Sequence, residues 1–175
     1  MKEHVVLTAL GKDRVGIVDD ITNGILESQC NLEESHMAVL GGEFAAILLA
    51  SGEPETIARL IREMPALGEN LDLRIELKST SPPVRDTSAR PYILESVSLD
   101  TQGIAHSITS LLKKYEINIE DLETETTSAP WTGAPMFTMK ARVNIPSSIP
   151  LVRLRDEIDE LASEQDLDIK LSPAP

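Results

Sequence analysis

The stretch His4–Met37, HVVLTALGKDRVGIVDDITNGILESQCNLEESHM, decides the fold because it occurs twice. It aligns without a gap on Pro91–Thr124, PYILESVSLDTQGIAHSITSLLKKYEINIEDLET, at a constant offset of 87. Eight positions are identical: Leu7/Leu94, Asp13/Asp100, Gly16/Gly103, Ile17/Ile104, Ile21/Ile108, Thr22/Thr109, Asn31/Asn118 and Glu33/Glu120. Others keep their apolar character, such as Val6/Ile93 and Leu32/Ile119. A period this long means two tandem domains, since solenoid units are shorter. Ser79–Ser88 carries adjacent prolines at 82 and 83 and no apolar periodicity, which reads as an extended linker. The expected division is a first domain over 1–79, a linker over 80–89 and a second domain over 90–175.

Within each copy the hydrophobic period changes in a fixed order. His4–Leu10 is rich in β-formers and reads as a strand. Ile17, Ile21 and Ile25 recur every four residues, which marks one face of a helix. Asn31–Val39 and Phe44–Ala50 read as strands joined at Gly41-Gly42. Pro54 opens a second helix with an apolar face at Ile57, Leu60, Ile61 and Met64, and Pro65 is placed to end it. Leu71 to Leu77 alternates apolar and charged residues, as a half-buried strand does. The order β-α-β-β-α-β, twice, predicts an α+β fold: two tandem ferredoxin-like sandwiches, each an antiparallel sheet with its helices on one face. Phe44–Ala50 is apolar on both faces, whereas the second copy offers Thr138, Lys140 and Arg142. The first domain's outer sheet face is therefore expected to be covered, by the sister domain or by a second chain.

Composition narrows the function. The 175 residues carry a formal net charge of −13, which opposes direct nucleic-acid binding and docking on anionic lipid. Two Phe, two Tyr and one Trp do not furnish the aromatic sheet of an RNA-binding module on this fold. No run reaches the ~20 apolar residues of a membrane span, and no leader is read at the start, so a cytoplasmic protein is expected. The single Cys30 excludes an internal disulfide; Ile117 at its repeat position suggests a buried apolar thiol. No G-x-S-x-G, H-E-x-x-H or Walker A pattern occurs, and His4, His36 and His106 neither recur nor have metal-ligand spacing. No catalytic residue, metal site or cofactor is assigned, and no enzyme is expected.

Leu7–Val18, with Asp13-Arg14-Val15-Gly16-Ile17 at its centre, resembles the strand–loop–helix opening of ACT domains. Cys30-Asn31-Leu32-Glu33-Glu34-Ser35 resembles the start of the second strand in that family. The second copy has Thr101-Gln102 where the first has Arg14-Val15. The resemblance implies a regulatory protein that binds a small amino acid, glycine or serine being suggested, usually at an interface between two domains. It implies a protein partner governing transcription of amino-acid metabolism, and a homodimer. A ligand-free dimerisation scaffold, or a regulator of a metabolic enzyme, is the alternative.

The implied ligand-binding set is Asp13, Arg14, Val15, Gly16, Ile17, Asn31 and Leu32 in the first copy. In the second it is Asp100, Gln102, Gly103, Ile104, Asn118 and Ile119. The residue types suit the chemistry. A helix N-terminus favours a carboxylate, a glycine lets a ligand approach the backbone, and Asn offers an acceptor and two donors. Structural roles remain open for each: Asp13 and Asp100 as helix caps, Gly16 and Gly103 as close-packing positions, Asn31 and Asn118 as turn formers, Arg14 as a locally paired ion. Sensing is expected mainly in the first domain, by contacts to the Gly16 backbone and Asn31. Glu33-Glu34 and Glu120-Asp121 read as solvated strand edge, and Trp131 as either an interface anchor or a locally packed side chain.

Overall fold

The computed structural model describes residues 2–81 and 88–174. The chain divides into two compact units, Met1–Val84 and Arg85–Pro175. The prolines of the expected linker lie outside the described residues.

The first unit runs β1 (Glu3–Lys12), α1 (Ile17–Glu27), β2 (Asn31–Leu40), β3 (Glu43–Gly52), α2 (Pro54–Leu71) and β4 (Leu73–Thr80). The second repeats it as β5 (Arg90–Leu99), α3 (Ile104–Lys114), β6 (Asn118–Ser128), β7 (Pro135–Ile145), α4 (Leu151–Gln165) and β8 (Asp168–Pro173). The sheets are ordered β2-β3-β1-β4 and β6-β7-β5-β8, with every neighbouring pair antiparallel. In the first unit Val5, Leu7 and Ala9 of β1 and Phe44, Ala46, Leu48 and Ala50 of β3 face the helices. There they meet Ile17, Ile21 and Ile25 of α1 and Ile57, Leu60 and Met64 of α2. The second core repeats this with Leu94, Ile104, Ile108, Leu112, Ala141, Val143, Leu154 and Ile158.

The repeat extends to backbone conformation. Gly16 and Gly103 precede the first helix of each unit at φ +87° and +94°. Gln29 and Glu116, one period apart, follow that helix at φ +61° and +54°. Each is held by the same two bonds: Gln29 N–H to Leu26 O at 2.8 Å and Cys30 N–H to Ile25 O at 3.1 Å, matched by Glu116 to Lys113 at 2.9 Å and Ile117 to Leu112 at 3.0 Å. This is the left-handed helix stop, occupied here by side-chain-bearing residues where glycine is favoured.

Two boundaries differ from the sequence reading. Pro65 does not end α2, which continues to Leu71. The extra turns are held because Met64 and Gly68 bury against the sheet, and a Cβ on Gly68 would stand 2.7 Å from the Leu73 carbonyl oxygen. Packing of that face outweighs the hydrogen bond Pro65 cannot make. Leu71 consequently ends the helix, Asp72 turns the chain at φ +55°, and β4 begins at Leu73.

On the outer face of the first sheet, strand register sets an apolar strip of Val6, Leu10, Ala45, Ile47 and Leu49 on the two central strands, with Leu10 and Ile47 about half exposed, between Arg74, Glu76 and Lys78 of β4 and Glu34 and His36 of β2. The equivalent face of the second carries Glu95, Lys140, Arg142 and Lys170, with Lys140 and Glu95 3.8 Å apart.

Candidate functional site

The β1–α1 turn is built by backbone. Asp13 N–H donates to Gly42 O at 3.1 Å, and Asp100 N–H to Pro135 O at 2.9 Å, so each turn is tied to its neighbouring hairpin. No side chain caps α1 or α3, which removes the capping role for Asp13 and Asp100. A Cβ on Gly103 would meet nothing within 4 Å, and one on Gly16 only Arg14 Nη1 at 3.9 Å. Close packing is therefore not why glycine stands there; the positive φ is. The close approach lies instead at Gly11, where a Cβ would fall 2.6 Å from Leu73 Cδ2. Arg14 is locally paired: Nη2 reaches Asp20 Oδ2 at 2.6 Å and Nη1 donates to Val15 O at 3.3 Å. Val15 and Gln102 are exposed, whereas Ile17 and Ile104 are core residues whose side chains reach no ligand from outside.

Asn31 and Asn118 occupy a different place. Asn31 is opposite Ser51 in β3, and Ser51 is opposite His4 at the start of β1. The Gly16 turn follows the other end of β1, beside Gly42. Nine residue steps, along β3 from the turn before it, separate Gly42 from Ser51, about 30 Å at 3.3 Å per step. The same separation holds between Pro135 and Asn144 in the second unit. The two halves of the expected site thus lie at opposite ends of the sheet. Within one unit, no small amino acid touches both the Gly16 backbone and Asn31.

The start of β2 and of β6 each carries a bulge, between Leu32 and Glu34 and between Ile119 and Asp121. The bulged residue is Glu33 or Glu120, one of the eight repeat identities, which the solvated-edge reading passed over. Glu33 Oε1 accepts from Ser51 Oγ at 2.5 Å and from Asn31 Nδ2 at 3.0 Å. Those bonds, Ser51's foremost, hold its carboxyl below the usual carboxylate range. Glu120 instead accepts from Asn144 Nδ2 and pairs with Arg142 Nε at 3.6 Å. Asn31 is thereby committed to its own chain, whereas among the described residues no hydrogen bond engages the Asn118 side chain.

Asn118 and Ile119 line a groove of about 560 Å³ between the last turn of α3 and the start of β6, completed by Thr109, Lys113, Glu116 and Ile117. Beside it, Lys114 Nζ pairs with Glu157 Oε2 at 2.5 Å, and Tyr115 OH donates to Glu157 Oε1 at 2.8 Å, which ties α3 to α4. Trp131 is 97% exposed at the tip of the β6–β7 hairpin, which removes the local-packing reading. Among the described residues no group of His, Cys, Asp and Glu is placed to hold a metal, and no helix is long and apolar enough to cross a membrane.

Residues 3–78 match the model of the ACT domain. Over 163 residues, 93% of this chain and 86% of the relative, the chain is 29% identical to the glycine cleavage system transcriptional repressor of Escherichia coli. Among solved structures, an unknown protein from Galdieria sulphuraria aligns over the whole of both chains at 32% identity and a TM-score of 0.87. A candidate glycine cleavage system transcriptional repressor aligns over 98% of this chain and 97% of its own, at 29% identity and a TM-score of 0.74.

Proposed function

We propose, from the match of residues 3–78 to the ACT domain and the repetition of that unit, that the chain is a non-catalytic tandem ACT regulator that binds a small amino acid and passes its state to a protein partner. The observation that carries this reading is the end-to-end likeness to the Escherichia coli repressor, which spans both units. On that likeness the regulated process is transcription of glycine-cleavage genes. With a net charge of −13, the chain acts through a DNA-binding partner and not by gripping phosphates itself.

The β1–α1 turn and the start of the second strand are separate places, so the amino acid occupies one of them in a given unit. Its influence on the partner is bounded by its differential affinity for two states of the protein, typically ~1–3 kcal/mol. The test is equilibrium dialysis of the full chain against a panel of the standard amino acids. Saturable binding of one small member is expected, with glycine and serine the first candidates. A panel without any binding would leave the ligand-free scaffold as the better account.

A further inference from the structure

We propose that the amino-acid site of this chain is the α3–β6 groove of the second unit, where Lys113 and Glu116 take the carboxylate and ammonium of a small zwitterion beside Asn118. This rests on the amino-acid-binding reading above and reverses the expectation that the first unit is the sensor. Three observations carry it.

The first is charge placement. Lys113 and Glu116 both line the groove, and among the described residues neither side chain has a hydrogen bond or an ion pair. Neighbouring Lys114 is already held by Glu157 at 2.5 Å, so Lys113 is the cation left for a ligand. A free amino acid carries one charge of each sign, and a groove offering one of each meets both. The end of α3 adds its own preference for the ammonium. Ile117 and Ile119 supply apolar wall, and Thr109 holds its hydroxyl on His106 O at 3.1 Å with the oxygen able to accept.

The second is the state of the asparagines. Asn118 is unengaged because Asn144 and Arg142 satisfy Glu120 from the neighbouring strand. In the first unit Ser51 replaces Asn144, and Asn31 donates to Glu33 itself. The third is the set of equivalent positions in the first unit, one period back: Thr22, Leu26, Gln29, Cys30, Asn31 and Leu32. Leu26 and Gln29 stand where Lys113 and Glu116 do, so neither charge is present there.

Calorimetric titration of the full chain with glycine and with L-serine tests this, alongside Lys113→Gln, Glu116→Gly and Asn31→Ala. Glu116→Gly places glycine at φ +54°, where it is favoured, so the carboxylate is removed without strain and thermal stability should hold or rise. Lys113→Gln and Glu116→Gly should each weaken binding by roughly tenfold or more, and Asn31→Ala by less than about twofold. N-acetyl-L-serine, which lacks the ammonium, should bind much more weakly than L-serine. Unchanged affinity in both groove variants, or a loss confined to Asn31→Ala, would overturn the groove while leaving amino-acid binding intact. A parent chain that binds neither these probes nor any other standard amino acid would overturn both.

Discussion

Single residues in this chain show how conformation and contact separate as reasons for a side chain. Gly103 is needed for its φ of +94° and not for space, since a Cβ there would touch nothing within 4 Å. Gly103→Ala should therefore cost about 1–2 kcal/mol, the ordinary penalty of a left-handed residue with a Cβ. Urea denaturation of the variant measures it, and no loss would mean that the turn relaxes to another conformation. Glu157 is a contact residue. Hydrogen bonds from Lys114, then from Tyr115, hold its pKa below the ordinary 4.5. A depressed carboxylate contributes stability that is fully present above its unfolded-state pKa and drains away as pH falls through the folded value. Parent protein should thus lose stability below pH 4.5, and Glu157→Gln should lose less over the same range. Parallel acid titrations followed by circular dichroism compare the two slopes. Lys114 is raised by the same bond, so its share is present below 10.5 and lost on the alkaline side.

Elements follow packing where packing and local preference disagree. Helix α2 carries Pro65 six residues before its end and continues, because Met64 and Gly68 lie on the buried face. Pro65 is exposed, and its ring leaves a backbone acceptor one turn earlier without an N–H. Pro65→Ala should restore that bond at the cost of some unfolded-state freedom, for a net gain of about 1–2 kcal/mol. A rise in melting temperature checks it, and a fall would show that the helix is bent to a purpose at this point. The strands were readable from β-forming residues bounded by turns, and β4 from its alternation of apolar and charged residues. The bulges at Glu33 and Glu120 were not, although both are repeat identities, because a bulge leaves no periodic signal beyond one residue of phase shift.

Across the whole molecule, the two units share a backbone and differ in what their surfaces ask for. Ile47 and Leu10 mark an apolar strip along the middle of the first sheet's outer face, between charged residues of β2 and β4, while the second sheet presents Glu95, Lys140 and Arg142 on the central strands of the matching face. Burying those charges against an apolar surface would cost more than the contact returns. We expect the apolar strip to meet the same strip of a second copy, a self-complementary contact that leaves the flanking charges of β2 and β4 at its rim. Ile47→Glu should convert a dimer to monomers without unfolding either unit, as read by sedimentation. A parent that sediments as a monomer, or a variant that stays dimeric, would assign that face to something else.

The sequence by itself determined the tandem organisation, the βαββαβ order and the two cores. Those follow from short-range periodicity and from one gap-free repeat, which carries the same left-handed stops at Gln29 and Glu116 and the same turns at Gly16 and Gly103. It also determined the acidic surface, since charge is a sum over residues and needs no coordinates. The expected site set was legible as residue types but not as a place. Asp13, Gly16 and Asn31 lie within 19 residues of one another in the chain, yet strand register sets Asn31 about 30 Å along the sheet from the Gly16 turn. Which asparagine is free was likewise decided in three dimensions. It depends on whether Ser51 or Asn144 faces the bulged glutamate from the neighbouring strand, a pairing between residues some twenty positions apart that only sheet formation brings together.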